Sequence, residues 1–164
     1  MKFKIRNHTE NDMPFLKEML FEAAYWRPDM ERPSIDEGLS HPELKKILSG
    51  WGRNGDTAVI AETSDRLKIG AAWYRFWTDG NHSYGYVKSQ IPEIGMAVIR
   101  EYRGQGIGNA LLRELIRIAA ENKIKELSLS VESDNPARYL YQKLHFRKID
   151  TVANSWTMIR ENAP

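Results

Sequence analysis

The chain has 164 residues, no cysteine and a formal charge of +2, with 41% hydrophobic and 28% charged residues. A single domain over residues 1–164 is the simplest expectation, at about 150 residues per domain, and it is long enough to bury a core. The small net charge argues against a broad polyanion-binding surface. The lack of cysteine excludes disulfides, thiolate metal sites and a cysteine nucleophile.

The opening "MKFKIRNHTEND" has no apolar h-region, and no apolar run approaches the roughly 20 residues of a membrane span. A cytoplasmic protein is expected. "FKIR" alternates like a short strand. Thr9 to Asp12 supply cap-type residues, and "MPFLKEMLFEAAYW" then reads as a helix with Phe15, Met19, Leu20 and Ala23 on one face. "RPDMERPS" breaks it with two prolines. A second helical region follows, where Ser40 and Glu43 in "SHPELKKIL" have capping-box spacing.

A strand-rich stretch comes next: "DTAVIAE", the turn "TSDR", and "KIGAAWYRFW". The loop "TDGNHS" leads to "YGYV", and "IPEIGMAVI" is another strand. A helix is predicted from about Gly106 to Asn122, with Ile107, Leu111, Leu115, Ile118 and Ala119 on one stripe. "KELSLSVES" alternates as a strand. "NPARYLYQKLHF" reads as a short helix with Asn135 at a cap-like position and Pro136 at its start. Strands around "RKI" and "SWTMI" close the chain, giving the order β-α-α-β-β-β-α-β-α-β-β, a mixed α/β layer architecture.

The stretch "YRGQGIGNALL" holds Gly104, Gly106 and Gly108 where a helix is about to begin. Glycine weakens a helix, so its presence there asks for a reason. A helix N-terminus offers free N–H groups and a partial positive charge, and glycine lets a ligand reach them with no Cβ in the way. Arg103 adds a cation, so the stretch suits a phosphate or diphosphate. Neither rival glycine motif fits. The dinucleotide fingerprint G-x-G-x-x-G would need glycine at Asn109 or Leu111, and a P-loop would need G-K-[ST] where Gly108 is followed by Asn-Ala.

The pattern R-x-x-G-x-G, carried by Arg103, Gly106 and Gly108, resembles the acyl-coenzyme A loop of the GNAT superfamily of N-acetyltransferases. "SLSVESDNPARYLYQKLHF" resembles that family's next strand and helix, and "IPEIGMAVI" its preceding strand. The resemblance is strongest from about Ile91 to Phe146 and implies a GNAT-like mixed, mostly antiparallel central sheet flanked by helices. One departure stands out: the family usually has Gly-Phe after the tyrosine helix, where this chain has His145-Phe146.

The resemblance implies transfer of an acetyl group from acetyl-CoA, a cosubstrate, directly to a primary amine; the four scattered histidines lack metal-ligand spacing, so no metal is expected. It implies that the backbone around Met96, Ala97 and Val98 pairs with the pantetheine arm, in a strand that a bulge opens from its neighbour. The pyrophosphate would lie on N–H groups of Gly104, Gln105, Gly106, Ile107, Gly108 and Asn109, beside Arg103. Asn135 matches a residue that hydrogen-bonds the pantetheine, and Arg138 and Lys143 are placed to meet coenzyme phosphates. Tyr141 is the candidate general acid for the leaving thiolate, since a phenol with pKa about 10 stays protonated at neutral pH. Glu93 is the candidate water-mediated base, and His82 a weaker one. A coenzyme-binding module without transfer, serving as sensor or interaction partner, is the alternative.

Acceptor expectations rest on the first half. Trp73, Arg75 and Trp77 share one strand face and Tyr74 and Phe76 the other, so one face is expected in the core and the other along an acceptor cleft. Glu22, Asp29, Glu31, Asp36 and Glu37 supply acid groups for a cationic amine. The expected partners are acetyl-CoA and an amine acceptor, without nucleic acid or membrane; a homodimer is compatible with the sequence.

Overall fold

A computed structural model of the chain describes residues 1–162. The strands are β1 (Phe3–Asn7), β2 (Thr57–Thr63), β3 (Lys68–Arg75), β4 (Glu93–Val98), β5 (Glu126–Glu132), β6 (Arg147–Val152) and β7 (Ser155–Glu161). The helices are α1 (Met13–Ala24), α2 (Ile35–Leu39), α3 (Pro42–Leu48), α4 (Ile107–Glu121) and α5 (Ala137–Lys143). The strands form a seven-stranded sheet in the order β1-β2-β3-β4-β5-β7-β6. β1–β2, β5–β7 and β6–β7 are antiparallel, and β4–β5 is parallel. This is the mixed, mostly antiparallel sheet with flanking helices that the family resemblance implies.

The chain divides into two compact units, one of Met1–Trp73 with Gly95–Leu115, the other of Tyr74–Ile94 with the chain from Ile116 on. In the first unit, Phe15, Leu16, Met19 and Leu20 of α1 pack with Ala58 and Ile60 of β2, Ala71 and Trp73 of β3, and Ala97 of β4. Ahead of α1, Asp12 is buried and takes hydrogen bonds from Arg6 Nη1 and Nη2 at 2.8 and 2.9 Å and from the Thr9 N–H at 2.8 Å. Lys68 Nζ lies 2.8 Å from Asp12 Oδ1. These partners hold the Asp12 carboxyl well below the usual carboxylate range.

In the second unit, β5 and β7 pair in register, with Leu129 opposite Met158 and Val131 opposite Trp156. All six residues of β6, at the sheet's edge, are exposed, and its pairing with β7 shifts between Lys148 and Asp150.

Four local expectations change. The second helical region is two short helices, because a residue before proline avoids the α region and His41 precedes Pro42. The cap of α3 is therefore His41, whose Nδ1 accepts from the Glu43 N–H at 3.2 Å, while Ser40 Oγ donates to the Glu37 carbonyl. The strand in "IPEIGMAVI" starts at Glu93. Both faces of β3 are buried: Trp73, Tyr74 and Arg75 are all within the fold, as is Trp77 beyond it, so neither face lines an open cleft.

The end of α5 accounts for His145. Its φ is 68°, the left-handed region that favours glycine. The His145 N–H donates to the Gln142 carbonyl at 3.0 Å, and the Phe146 N–H to the Tyr141 carbonyl at 3.0 Å. This is a Schellman stop, completed by edge-on contact of Tyr141 and Phe146 with ring centroids 5.9 Å apart. A non-glycine residue in this conformation costs about 1 kcal/mol. His145→Gly should therefore raise the thermal midpoint by roughly 2–4 °C. A scanning calorimetry trace at or below wild type would mean that the imidazole stabilises the turn.

Candidate active site

Within the first unit, β4 feeds a single turn of 3-10 helix, Arg100–Tyr102, and then the glycine loop. Gly104 and Gly106 have φ of 76° and 83°. Two of the three glycines are thus needed for left-handed backbone. A Cβ built on either would meet nothing within 4 Å, so the backbone there faces open space that a ligand can enter. The first intrahelical bond of α4 runs from the Ala110 N–H to the Gly106 carbonyl at 3.1 Å. The N–H groups of Ile107, Gly108 and Asn109 precede it and have no partner within the helix. Gln105 is exposed between the two left-handed glycines, and Ile107 is buried as the anchor of the helix stripe. Asn109 Oδ1 accepts from Arg113 Nε at 3.3 Å. The loop therefore fits a diphosphate through backbone N–H groups.

Arg103 does more than offer a free cation. Its Nε donates to the Val98 carbonyl at 2.9 Å, and its Nη2 lies 3.5 Å from Glu22 Oε2. Burial pulls its pKa down, and Glu22 opposes that shift. In β4, Ala97 and Val98 are buried and Met96 is half-buried. The side chains of Ala97 and Val98 thus serve the core.

Within the second unit, β4 starts beside β5 with Glu93 opposite Ser128, and the Ser128 N–H donates to the Pro92 carbonyl at 3.0 Å. The loop from Phe76 to Pro92 folds back over Glu93. Gly85 donates its N–H to Glu93 Oε2 at 2.7 Å. A Cβ at Gly85 would lie 2.6 Å from that oxygen and 2.7 Å from the Leu129 carbonyl carbon, so only glycine allows this approach. Glu93 Oε1 is buried without a hydrogen bond. Burial pushes the Glu93 carboxyl up to about 7, against the opposing Gly85 N–H, Trp77 and Ser83 side chains and the His82 charge. His82 stacks on Tyr86 with centroids 4.3 Å apart, and its Nδ1 lies 2.9 Å from the Ser83 carbonyl oxygen. The sequence marked Glu93 and His82, and Trp77 only as one ring of a strand face, but not Gly85 or Ser83; Trp77, Gly85 and Ser83 together set the carboxylate's environment. The glycine of "YGYV" is the signal that could have pointed there.

Asn135 sits where β5 gives way to α5. Its Oδ1 accepts from the Ala137 N–H at 2.9 Å, which leaves the amide nitrogen as the donor for a ligand. Tyr141 is buried on α5, and burial pushes its phenol up to about 12. Lys143 is exposed in the last turn of the same helix. Arg138 stacks over Tyr139 and Trp156, 4.7 and 5.0 Å from the ring centroids.

Residues 18–146 match the description Acetyltransferase (GNAT) family. The chain belongs to that family. A [ribosomal protein bS18]-alanine N-acetyltransferase of Haemophilus influenzae is 37% identical over 71 residues, 42% of this chain and 49% of the relative. The chain thus spans about half the length of the curated relatives it matches. Among solved structures, PaiA N-acetyltransferase from Thermoplasma acidophilum in complex with coenzyme A aligns with a TM-score of 0.70 at 19% identity, covering 98% of this chain and 99% of that one. A putative acetyltransferase from Salmonella typhimurium with acetyl-CoA aligns at 0.68 and 19% identity, covering 100% and 96%. At such identities these two show that the GNAT fold is shared. Among the described residues, no helix is long and apolar enough to cross a membrane, and no three His, Asp or Glu residues gather where a metal ion could be held.

Proposed function

We propose that this GNAT chain works as one domain, in the cytoplasm, and moves an acetyl group from acetyl-CoA to a primary amine. The glycine loop carries this reading. Left-handed Gly104 and Gly106, each with open space where a side chain would stand, turn the chain into α4, whose first N–H groups have no partner within the helix, an arrangement that suits the coenzyme diphosphate. Arg103, Gln105 and Asn109 complete that loop. The Met96–Val98 backbone, Asn135 and Lys143 are assigned to the rest of the coenzyme.

Glu93 takes the proton from the amine, through water, and Tyr141 donates a hydrogen bond to the departing thiolate. A carboxylate near 7 is poised for base catalysis at neutral pH. It also favours one class of acceptor. An α-amino group, with pKa about 7.7–8.0, gives up its proton more readily at neutral pH than a lysine amine at about 10.4, and so asks less of the base. A peptide N-terminus is therefore the preferred acceptor, in keeping with the N-terminal alanine in the name of the Haemophilus relative.

The test is thiol release from acetyl-CoA over a panel holding an alanine-headed peptide, an N-terminally blocked lysine peptide and a small diamine. Release with the alanine-headed peptide above the others is expected. Coenzyme binding without release on any amine would replace the transferase by a coenzyme-binding module.

A further inference from the structure

Glu22 stands in an unfavourable place. It lies in the last turn of α1, where the helix dipole disfavours a negative charge, and no basic residue of that turn offsets it. Two arginines from elsewhere in the first unit do so. Arg32, from the segment between α1 and α2, holds Glu22 Oε1 at 2.5 Å, and its guanidinium also stacks 4.9 Å from the Phe21 ring. Arg103, at the head of the glycine loop, approaches Glu22 Oε2 at 3.5 Å. The two contacts are unequal: Arg32 makes a full hydrogen bond, whereas Oε2 is buried with no hydrogen bond of its own. Arg103 meanwhile is tethered through Nε to the Val98 carbonyl.

We propose that Glu22 is a positioning residue that competes with the coenzyme diphosphate for Arg103, so that coenzyme binding and the Glu22–Arg32 contact are linked. The proposal rests on the glycine loop's being the diphosphate site. An incoming diphosphate offers Arg103 full charge-assisted hydrogen bonds in place of a loose 3.5 Å contact. Arg103 turns its outer nitrogens to the phosphate while Nε stays on the Val98 carbonyl. Glu22 is then left to Arg32 alone, which draws the segment after α1 more firmly onto that helix. Coenzyme binding thereby tightens the segment leading into α2 through one shared carboxylate.

Substitutions of Glu22 and of its partner Arg32 give opposite expectations, which a loss of packing would not. Glu22→Gln removes the competing charge, so coenzyme A should bind about three- to tenfold tighter, as expected for one charge removed a few ångströms from an anion site. Arg32→Gln leaves Glu22 to Arg103 alone, so coenzyme A should bind about two- to fivefold more weakly. The experiment is calorimetric titration of coenzyme A into wild type and both variants, each with an unaltered circular dichroism melt. Arg32 is partly exposed, so its variant keeps the test open if Glu22→Gln fails to fold. Shifts of the same sign, or no shift in either variant, would overturn the proposal while wild-type binding stands. Absence of wild-type binding would instead remove the diphosphate site itself, and the proposal with it.

Discussion

Glu93→Gln should lower turnover about a hundredfold at pH 7, within the usual range for loss of a positioned base. Glutamine keeps an oxygen for the Gly85 N–H and removes the basic carboxylate. The pH dependence makes the assignment specific. A base acts in its deprotonated form, so wild-type kcat/KM should rise as pH climbs through about 7. The variant should lose that inflection and recover part of its rate at high pH, where free amine is abundant. Stability moves the opposite way. The folded state holds the Glu93 proton more tightly than the unfolded chain does, because its pKa lies above the ordinary 4.5. The protein therefore loses stability as pH rises from about 4.5 to 7, and the loss stays constant above that. Glu93→Gln removes it, so the variant should melt higher than wild type at pH 8 but not at pH 4. A variant with the wild-type rate profile would return Glu93 to a structural role.

Tyr141→Phe should lower kcat about tenfold to hundredfold and leave coenzyme affinity unchanged. The buried phenol, pushed up to about 12, is protonated at any pH the protein will meet. A phenol held that high is a weaker acid than the coenzyme thiol, so it is a poor full proton donor to the thiolate and its contribution is a hydrogen bond to the charge as it develops. Hydrogen bonds to charged groups contribute about 1.5–3 kcal/mol, which sets the range given. The ring should stay in place in the variant, because the Phe146 contact and the Schellman stop involve the ring and backbone, not the hydroxyl. Steady-state turnover with saturating acetyl-CoA, beside a titration of coenzyme A, separates the two effects. A rate within about twofold of wild type would make Tyr141 a packing residue.

Much of the fold was legible because each long element carries its own periodicity. The α4 stripe appears as buried Ile107, Leu111, Leu115 and Ala119, and the alternation of "KELSLSVES" appears as β5. Boundaries next to proline were less legible. Pro92 has no N–H to give a ladder, so β4 starts after it, and Pro42 splits the second helical region. The glycine loop was readable because left-handed backbone leaves a mark in residue type. The setting of Glu93 was not, since Gly85, Ser83 and Trp77 come from a loop without periodicity, and only the folded chain shows which carboxylate they surround. The Glu22–Arg103 contact joins residues distant in sequence, and a charged pair of that kind leaves no local pattern. The aromatic faces of β3 misled for a related reason. Alternation implies one wet face, but a central strand covered on both sides keeps neither.

We propose that the loop from Arg103 to Asn109 holds the coenzyme through its backbone. Titration calorimetry of coenzyme A into wild type and Gly106→Val tests it most directly. Valine at φ 83° is strained and β-branched, so the loop must leave the conformation that presents its N–H groups. A folded variant should bind at least about tenfold more weakly than wild type, the equivalent of some 1–2 kcal/mol of backbone strain. Equal affinity in a folded variant would contradict the account, because the coenzyme would then be held somewhere other than this loop.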